Sequence, residues 1–305
     1  MSDSKVAEYW GNSIETNFTG ETFWLANPTI KAHFDLKLSN GEDYGSWVNY
    51  TVGKFLDRLD NVDKILSIGC GNGELERHLA QHNTAKAIEA IDIAPKCIAA
   101  CEQAATNAGL NNTLKYYLAN VETNPLPSEN YHAIYFNSSL HHMSNLDSTL
   151  AKCNDALDPE GYLFVNEYIG PNRFAFSSRE KAVMQSLFTL IPEKYRVSNS
   201  KPNVGKVRHE ISLPTPKQVI DIDPSEAIHS QEISAAIERH FHVVQINYSI
   251  GTVMQFLLAD IIGNFSEDDS EGIRILEMII ETEETLVSTR DLQPHFALFI
   301  ATKKQ

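Results

Sequence analysis

Residues 64–80, KILSIGCGNGELERHLA, limit the possible folds of this chain more than any other segment, because an apolar run there breaks into three closely spaced glycines. The run at 65–68 has the character of a buried parallel strand. Leu75 and Leu79, one helical turn apart, give the following segment an inward face. The segment therefore predicts a strand, a glycine turn and a helix, and the bare backbone and free N–H groups of such a turn can hold a ligand.

The glycine spacing selects among the ligands that such a turn can hold. A dinucleotide-binding turn requires the order G-x-G-x-x-G, which would place the third glycine at position 74, where this chain has Glu74. An acid at the start of a helix repels a pyrophosphate, so a nicotinamide-dependent oxidoreductase is a weaker alternative. The order GxGxG also occurs in ordinary strand-to-helix connections, so other segments are needed to assign the turn.

The run IGCGNGE at 68–74 resembles the first motif of the Rossmann-like, class I S-adenosylmethionine-dependent methyltransferases, and later segments match that family in order. The resemblance implies S-adenosyl-L-methionine as the cofactor. That family usually has an acid two places before the first glycine, which helps to hold the cofactor's amino group, and this chain has Ser67 there. The cofactor-binding residues expected in this segment are Ser67, Gly69, Cys70, Gly71 and Gly73.

The next strand is predicted at 85–92, AKAIEAID, and it ends in an acid. Asp92 lies 19 residues beyond Gly73 (92 minus 73). In a doubly wound sheet, the carboxyl end of the neighbouring strand lies beside the glycine turn, and an acid there can accept hydrogen bonds from both hydroxyls of a ribose. We therefore expect Asp92 to bind the cofactor, together with the adjacent Ile93.

Two further strands end in polar residues. A third strand is predicted at 114–119 and is followed by Asn120 and Val121. The resemblance implies contact with the adenine there, and an asparagine keeps a carbonyl acceptor for the adenine amino group. The fourth strand, at 131–137, ends at Asn137 and leads into the loop SSLHHM, which the resemblance implies to face the cofactor's sulfonium. Asn120, Val121 and Asn137 are therefore expected to bind the cofactor.

Strand and helix alternate five times up to a fifth strand at 162–167, which predicts a parallel sheet with right-handed crossovers and a ligand at the carboxyl ends. Segments 241–249 and 295–302 look like final strands, and the resemblance implies an antiparallel pair. We predict an α/β fold with a doubly wound, Rossmann-like, seven-stranded, mostly parallel sheet and an antiparallel final strand. Helical insertions at about 170–230 and 251–290 would form a lid, a substrate-selecting surface or a homodimer interface, alternatives that the sequence leaves open.

The chain is expected to divide into a cap and a larger domain. Residues 1–60 precede the first core strand and are rich in aromatic side chains, several at helical spacing, which predicts an N-terminal helical cap. Most of these aromatic residues are expected to pack the cap onto the core, whereas Trp47 and Tyr50 are expected to contact the cofactor. Residues 61–305 are expected to form the cofactor-binding domain with its insertions.

Methyl transfer from a sulfonium is an in-line displacement in which the cofactor brings the activated carbon. Proximity and alignment can supply about 7 to 11 kcal/mol of the barrier, whereas one general base typically contributes about 3 to 5 kcal/mol. An alcohol acceptor still profits from a base, and the best placed candidates are His141, His142 and Glu167, with His141 and Glu167 preferred. No metal is assigned, because Asn137 and the distant Asp147 are a poor ligand set.

The charge balance limits the partners. Forty acidic residues against 25 basic ones give a formal net charge of -15. A small molecule, or a group on another protein or a glycan, is therefore expected as the partner, and nucleic acids and anionic membranes are not. Four cysteines without a C-x-x-C pair indicate a reducing compartment. The start of the chain, MSDSKVAEYW, does not resemble a signal peptide, and no apolar stretch has membrane-spanning length, so a cytoplasmic location is expected.

The function expected from these residues is transfer of a methyl group from S-adenosyl-L-methionine to a small-molecule or saccharide acceptor, with O-methylation favoured. Segments 167–174 and 223–227 also resemble a bacterial subgroup associated with cell-surface polysaccharide clusters. The main alternative is a catalytically inactive protein of this family that binds the cofactor or a partner, and Ser67 and Asn120 in place of acids support it. An NAD-dependent oxidoreductase is the weaker alternative.

Overall fold

The computed structural model describes residues 3–13 and 22–304. The predicted cap at residues 1–60 therefore lies partly outside the described residues. Within them, the chain forms a sheet of seven strands. In chain order these are β1 Lys64–Ile68, β2 Ala87–Asp92, β3 Leu114–Leu118, β4 Tyr131–Asn137, β5 Leu157–Tyr168, β6 Phe241–Ser249 and β7 Phe296–Lys303.

The order of the strands across the sheet is β3-β2-β1-β4-β5-β7-β6. The pairs from β3 to β5 are all parallel, and β7 runs antiparallel to both of its neighbours, β5 and β6. The predicted fold is therefore confirmed: the sheet is seven-stranded and mostly parallel, and its final strand is antiparallel.

The helices of the described residues cover the sheet and form the two insertions. In chain order they are α1 Asp3–Ser13, α2 Pro28–Leu38, α3 Trp47–Lys54, α4 Glu74–Gln81, α5 Pro95–Asn107, α6 Leu146–Ala156, α7 Ser178–Leu190, α8 Pro216–Ile222, α9 Ile233–His240, α10 Met254–Leu257 and α11 Ser270–Ser288. Helices α7 and α8 lie between β5 and α9, and α10 and α11 lie between β6 and β7, so both predicted insertions contain helix.

The topology brings the ends of five strands to one edge. β1 pairs with β2 on one side and with β4 on the other, and Ile68 lies level with Ile91 and Phe136. Parallel neighbours run in the same direction, so the residues that follow β1 to β5 emerge together. The chain order reverses between β1 and β4, and such a switch point is where open α/β sheets bind their ligands.

Two elements differ from the prediction. β5 begins at Leu157, earlier than the predicted start, because Leu157 pairs with Tyr131 before the register shifts between Tyr131 and Ala133. Residues 158–161, which precede the predicted strand, are therefore an irregular part of β5. In the second insertion, which was predicted to be helical over about 251–290, the first helix has only the four residues of α10.

The sheet separates two apolar cores because successive side chains of a strand point to opposite faces. Ile65 packs in one core with the cap residues Trp24 and Phe34, whereas Leu66 and Ile68 belong to the other. The described part of the cap is thus built into a core of the sheet.

The cap also packs against the second insertion. The Asn27 side chain, at the start of α2, donates to the Phe265 carbonyl at 3.0 Å, and His33 of α2 pairs with Glu284 of α11 at 2.5 Å. In the described part of the chain, no helix combines the length and the apolar character that crossing a bilayer requires. The lid, substrate-selecting and dimer roles of the insertions stay predictions.

Candidate functional site

The glycine turn after β1 has all three glycines in the left-handed region, with φ of 74° at Gly69, 52° at Gly71 and 72° at Gly73. A Cβ at Gly69 would lie 2.5 Å from the Ser139 Cβ, and one at Gly73 would lie 2.7 Å from the Cys101 Sγ. A Cβ at Gly71 would meet nothing within 4 Å. The first and third glycines are therefore required by packing, and the backbone at Gly71 is open to a ligand.

Asp92, at the end of β2, holds the turn. Its Oδ2 accepts from the Gly71 N–H at 2.9 Å and its Oδ1 accepts from the Ala94 N–H at 2.8 Å. Burial raises the pKa of the Asp92 carboxyl, although the backbone donors act in the opposite direction. The structure thus brings together the glycine turn, Asp92 and the adjacent, half-buried Ile93, as the sequence indicated.

Beneath the turn, the structure places a buried acid that was not predicted from the sequence. Ser67 is 2% exposed on β1, and Glu76 of α4 is fully buried. Neither carboxylate oxygen of Glu76 makes a hydrogen bond of standard geometry within the described residues. Burial raises the pKa of Glu76 to about 7. The sequence signal for this burial is the spacing of Glu76 from Leu79 and Ala80, three and four residues later, which are also buried on α4.

The ends of β3 and β4 differ in exposure. Asn120 is half-buried, and its Oδ1 accepts from the Glu122 N–H at 2.9 Å, while Val121 is 4% exposed. Asn137 is exposed at the end of β4, and its Oδ1 accepts from the Asn166 side chain at 2.9 Å. The adenine contact predicted for Asn120 and Val121 stays a prediction, and Asn137 has a surface that a ligand can reach.

Trp47 and Tyr50 of α3 lie in the core of the cap. Trp47 is 7% exposed, and its ring lies 6.3 Å from that of Tyr135. Tyr50 is fully buried, and its hydroxyl accepts from the Gln245 side chain of β6 at 2.9 Å. The cofactor contacts predicted for both residues stay predictions, and for Tyr50 such a contact requires the ring to leave this packing.

Glu167, at the end of β5, is a fully buried organiser of the loop that follows β4. Its Oε2 accepts from the N–H groups of Ser139 at 3.0 Å, Leu140 at 2.7 Å and His141 at 3.3 Å. Its Oε1 accepts from the Tyr168 N–H at 2.7 Å and pairs with the His141 Nδ1. One carboxylate therefore fixes both the path of the loop and the orientation of the imidazole.

His141 lies between two acids. Its Nδ1 pairs with Glu167, and its Nε2 lies 3.4 Å from the Oε1 of Glu226, which belongs to the first insertion. Burial disfavours the charged ring, but Glu167 and Glu226 outweigh it and raise the pKa of His141 to about 10. Burial likewise disfavours the charge of Glu226, but His141 lowers its pKa to about 2. The two groups therefore form an ion pair at neutral pH.

His142 packs beside His141, with ring centroids 4.1 Å apart, and it is held by a different network. The Ser225 hydroxyl donates to the Asp223 Oδ1 at 2.7 Å and lies 3.1 Å from the His142 Nδ1. The Trp10 indole of α1 donates to the other Asp223 oxygen at 3.0 Å. Burial and the neighbouring His141 lower the pKa of His142.

The acids that complete this cluster were noted in the sequence only within the segment 223–227. Their position beside the histidines has no sequence signal, because Ser225 and His142 are 83 residues apart. Asp147, which was weighed as a metal ligand from the sequence, instead bonds Arg239 at 2.9 Å and His240 at 2.8 Å among exposed side chains. The structure therefore brings His141, His142, Glu167 and Glu226 together and places Asp147 elsewhere.

A family model described as a methyltransferase domain matches residues 66–165. The 27-O-demethylrifamycin SV methyltransferase of Amycolatopsis mediterranei (strain S699) is 26% identical over 134 residues, which are 42% of this chain and 49% of that protein. The uncharacterized methyltransferase Rv0089 of Mycobacterium tuberculosis (strain ATCC 25618 / H37Rv) is 26% identical over 108 residues, 35% of this chain and 52% of that protein. The chain thus spans about half the length of the curated relatives it matches.

Solved structures share the fold. Geranyl diphosphate C-methyltransferase from Streptomyces coelicolor A3(2), in complex with Mg2+, geranyl diphosphate and S-adenosyl-L-homocysteine, matches with a TM-score of 0.54 at 13% identity, over 99% of this chain and 97% of that one. The [4+2]-cyclase SpnF matches with a TM-score of 0.51 at 15% identity, over 98% and 93% of the two chains. At these identities the likeness shows the fold alone.

The matched segment contains the glycine turn, Asp92 and the loop that carries the two histidines. The sheet around it has the strand order that places these elements at one edge. Residues 66–165 are thus similar to a methyltransferase domain, and the chain as a whole shares its fold with solved structures that include a C-methyltransferase.

Proposed function

We propose that the protein is an enzyme that transfers a methyl group from S-adenosyl-L-methionine to an acceptor. The observation that carries the proposal is the contact between Gly71 and Asp92 at the ends of β1 and β2. The turn is open at Gly71, and the Asp92 carboxylate is fixed beside it. An open glycine backbone next to a strand-end acid suits a ligand that has a ribose, and Glu74 in the first turn of α4 disfavours phosphates.

The residues present fit such a cofactor. Each Asp92 oxygen has a second acceptor site beyond its backbone bond, so the carboxylate can still accept from ribose hydroxyls. When bound, the cofactor supplies an electrophilic methyl group on a sulfonium. The residues proposed to hold it are Ser67, Gly69, Cys70, Gly71, Gly73, Asp92, Ile93, Asn120, Val121, Asn137, Trp47 and Tyr50.

The acceptor that we propose is the hydroxyl group of a small molecule or a saccharide. The strongly negative chain disfavours polyanionic acceptors. The name of the Amycolatopsis relative describes methylation of an oxygen, which supports O-methylation here. We also propose that the protein acts in the cytoplasm as a homodimer.

For the acceptor's proton, we propose His141, which can act as a base only after its ring has released the proton that it holds in the ion pair with Glu226. Glu167 is fully buried, and its oxygens are engaged with four backbone N–H groups and His141, so we assign it as a positioning residue. His142 is the second candidate, because its Nε2 is buried without a hydrogen-bond partner in the described residues. Proximity and alignment, at about 7 to 11 kcal/mol, would supply more of the rate than either histidine.

The experiment is calorimetric titration of the protein with S-adenosyl-L-homocysteine. A charge-assisted hydrogen bond is worth about 1.5 to 3 kcal/mol, so we expect Asp92→Ala to weaken binding about tenfold or more. Glu89→Gln is the matched control, because Glu89 lies on the same strand but bonds the Tyr131 hydroxyl at 2.6 Å, away from the turn, and should leave the affinity unchanged.

Three outcomes of the binding and turnover measurements would contradict parts of this proposal. An unchanged dissociation constant in Asp92→Ala removes Asp92 from the site. A thermal shift with NAD and none with S-adenosyl-L-homocysteine would support an oxidoreductase instead. Binding without turnover across a panel of alcohols and sugars would support the inactive cofactor-binding alternative.

A further inference from the structure

We propose that His141, His142 and Glu226 form a binding site for a divalent transition-metal ion. Each residue offers one ligand atom, and these atoms lie within 4.8 Å of one another. The cluster joins the loop after β4 to the first insertion, and its three side chains are largely buried, with exposed fractions of 8%, 13% and 23%. It lies outside the residues proposed for the cofactor and does not rest on methyl transfer.

The first ligand pair already has a metal-compatible separation. The His141 Nε2 lies 3.4 Å from the Glu226 Oε1. Ligand bonds of about 2.0–2.2 Å in a tetrahedral site place neighbouring ligand atoms about 3.4 Å apart. Glu167 pairs with the other ring nitrogen of His141, which leaves Nε2 to face Glu226. A carboxylate on the far nitrogen of a ligating histidine is the usual outer-shell arrangement in metal sites.

The second histidine has an unpartnered nitrogen. The Ser225 hydroxyl donates its hydrogen to Asp223, so the same oxygen accepts from the His142 Nδ1–H. This bond fixes the tautomer and leaves a lone pair on Nε2. The Nε2 atom is buried and has no hydrogen-bond partner in the described residues. A buried, unpaired acceptor is costly, and coordination of a cation satisfies it.

The donor set identifies the class of ion. Two imidazoles and one carboxylate suit Zn²⁺, Fe²⁺ or Co²⁺, whereas Mg²⁺ and Ca²⁺ prefer oxygen ligands alone. The three ligand atoms now lie within 4.8 Å of one another. Side-chain shifts of about 1 Å would bring them to the separations of a tetrahedral site. The ion would leave further positions for water or an acceptor oxygen.

A metal at this site would change the roles of the two histidines. As ligands they cannot serve as bases, and a bound metal would instead lower the pKa of an acceptor hydroxyl. No metal was predicted from the sequence. The separation of the two segments explains the difference, since His141 and Glu226 are brought together only by the first insertion.

The test is titration of the chelator-treated protein with Co²⁺ alone, followed by its visible absorption and by calorimetry, then repeated with Zn²⁺. We expect one ion per chain. His142→Gln and Glu226→Gln should each weaken binding about tenfold or more, and Glu226→Gln is nearly isosteric at a partly exposed side chain, so it should fold normally. Thermal unfolding checks both variants.

The chain offers a matched control in His78 and His82, two neighbouring rings with centroids 4.3 Å apart, one helical turn apart on and just after α4. His82→Ala should leave the affinity unchanged. Loss of binding in His82→Ala, retention of full affinity in folded Glu226→Gln or His142→Gln, or failure of the parent protein to bind either ion would each overturn the proposal. None of these readouts depends on S-adenosyl-L-methionine or an acceptor, so the proposed function is tested separately.

Discussion

Two buried glutamates in this protein perform the same structural task. Glu167, at the end of β5, accepts hydrogen bonds from four backbone N–H groups, three of them in the loop after β4. Glu283, in α11, accepts from the four successive N–H groups of residues 251–254. Each is essentially fully buried, and each fixes a loop that has little regular structure of its own.

The two glutamates differ in what surrounds them. Glu167 also pairs with His141, which in turn faces Glu226. Glu283 is held by backbone N–H groups, and burial raises its pKa although the four N–H groups oppose this. A buried carboxylate that satisfies backbone donors is therefore a way to build a loop. The network of Glu167 differs because it continues through the titratable side chains of His141 and Glu226.

The greatest losses are expected at the two glutamates themselves. Glutamine at either position would place an amide N–H₂ against backbone donors, so we expect Glu167→Gln and Glu283→Gln each to lower the free energy of unfolding by about 4 kcal/mol. Only Glu167→Gln should also reduce turnover, by about 100-fold, because it releases His141. Denaturant unfolding and a methyl-transfer assay with an accepted alcohol measure the two quantities.

Turnover should be divided by the fraction of protein that is folded. If both variants then lose turnover equally, Glu167 and Glu283 do not differ in their role. Such a result would mean that Glu167 acts through stability alone. Equal stability losses with turnover retained in Glu283→Gln would instead separate the loop-building role from the chemical one.

A third buried glutamate, Glu76, is a contrast to Glu167 and Glu283 because its carboxylate does not accept hydrogen bonds from the N–H groups of a loop. Its pKa is raised to about 7 by burial, from an ordinary value of 4.5, with Asp92 adding to the shift and Arg77 opposing it. The folded state therefore keeps a proton that the unfolded state loses between pH 4.5 and 7. Stability should fall as the pH rises through that window, by about 3 kcal/mol in total.

Glu76→Gln mimics the protonated acid. We expect the variant to match the parent protein below about pH 4.5 and to exceed it by about 3 kcal/mol above about pH 8. Urea unfolding from about pH 4 to about pH 9 measures the difference. A constant difference across this range would show that Glu76 does not titrate with a raised pKa.

A weaker effect should be seen around Glu89, a buried acid whose donors are hydroxyl groups. The Tyr131 hydroxyl donates to it at 2.6 Å, so we expect Tyr131→Phe to lower the free energy of unfolding by about 2 kcal/mol. Tyr117→Phe is the control, because its hydroxyl lies 3.3 Å from Glu89 on an exposed ring and should contribute less than about 1 kcal/mol. A larger loss in the control would contradict this ranking, and denaturant unfolding decides it.

Much of the fold was readable from the sequence because its signals are local. The apolar run, glycines and inward leucines of residues 64–80 predict β1, the turn and α4, and these elements are present. The strand predicted at 131–137 matches β4 to the residue. The prediction was weaker where the boundary of a strand depends on its pairing with a neighbouring strand. The start of β5 is such a case, because it depends on the pairing of Leu157 with Tyr131.

The candidate site divides in the same way. The glycine turn and Asp92 were predictable from the order of residues alone, because parallel strands that end at one edge bring them together. The placement of Glu226 and Ser225 beside His141 and His142 became visible only in the folded chain. No local periodicity encodes that contact, because it depends on how the first insertion packs back over the carboxyl edge of the sheet.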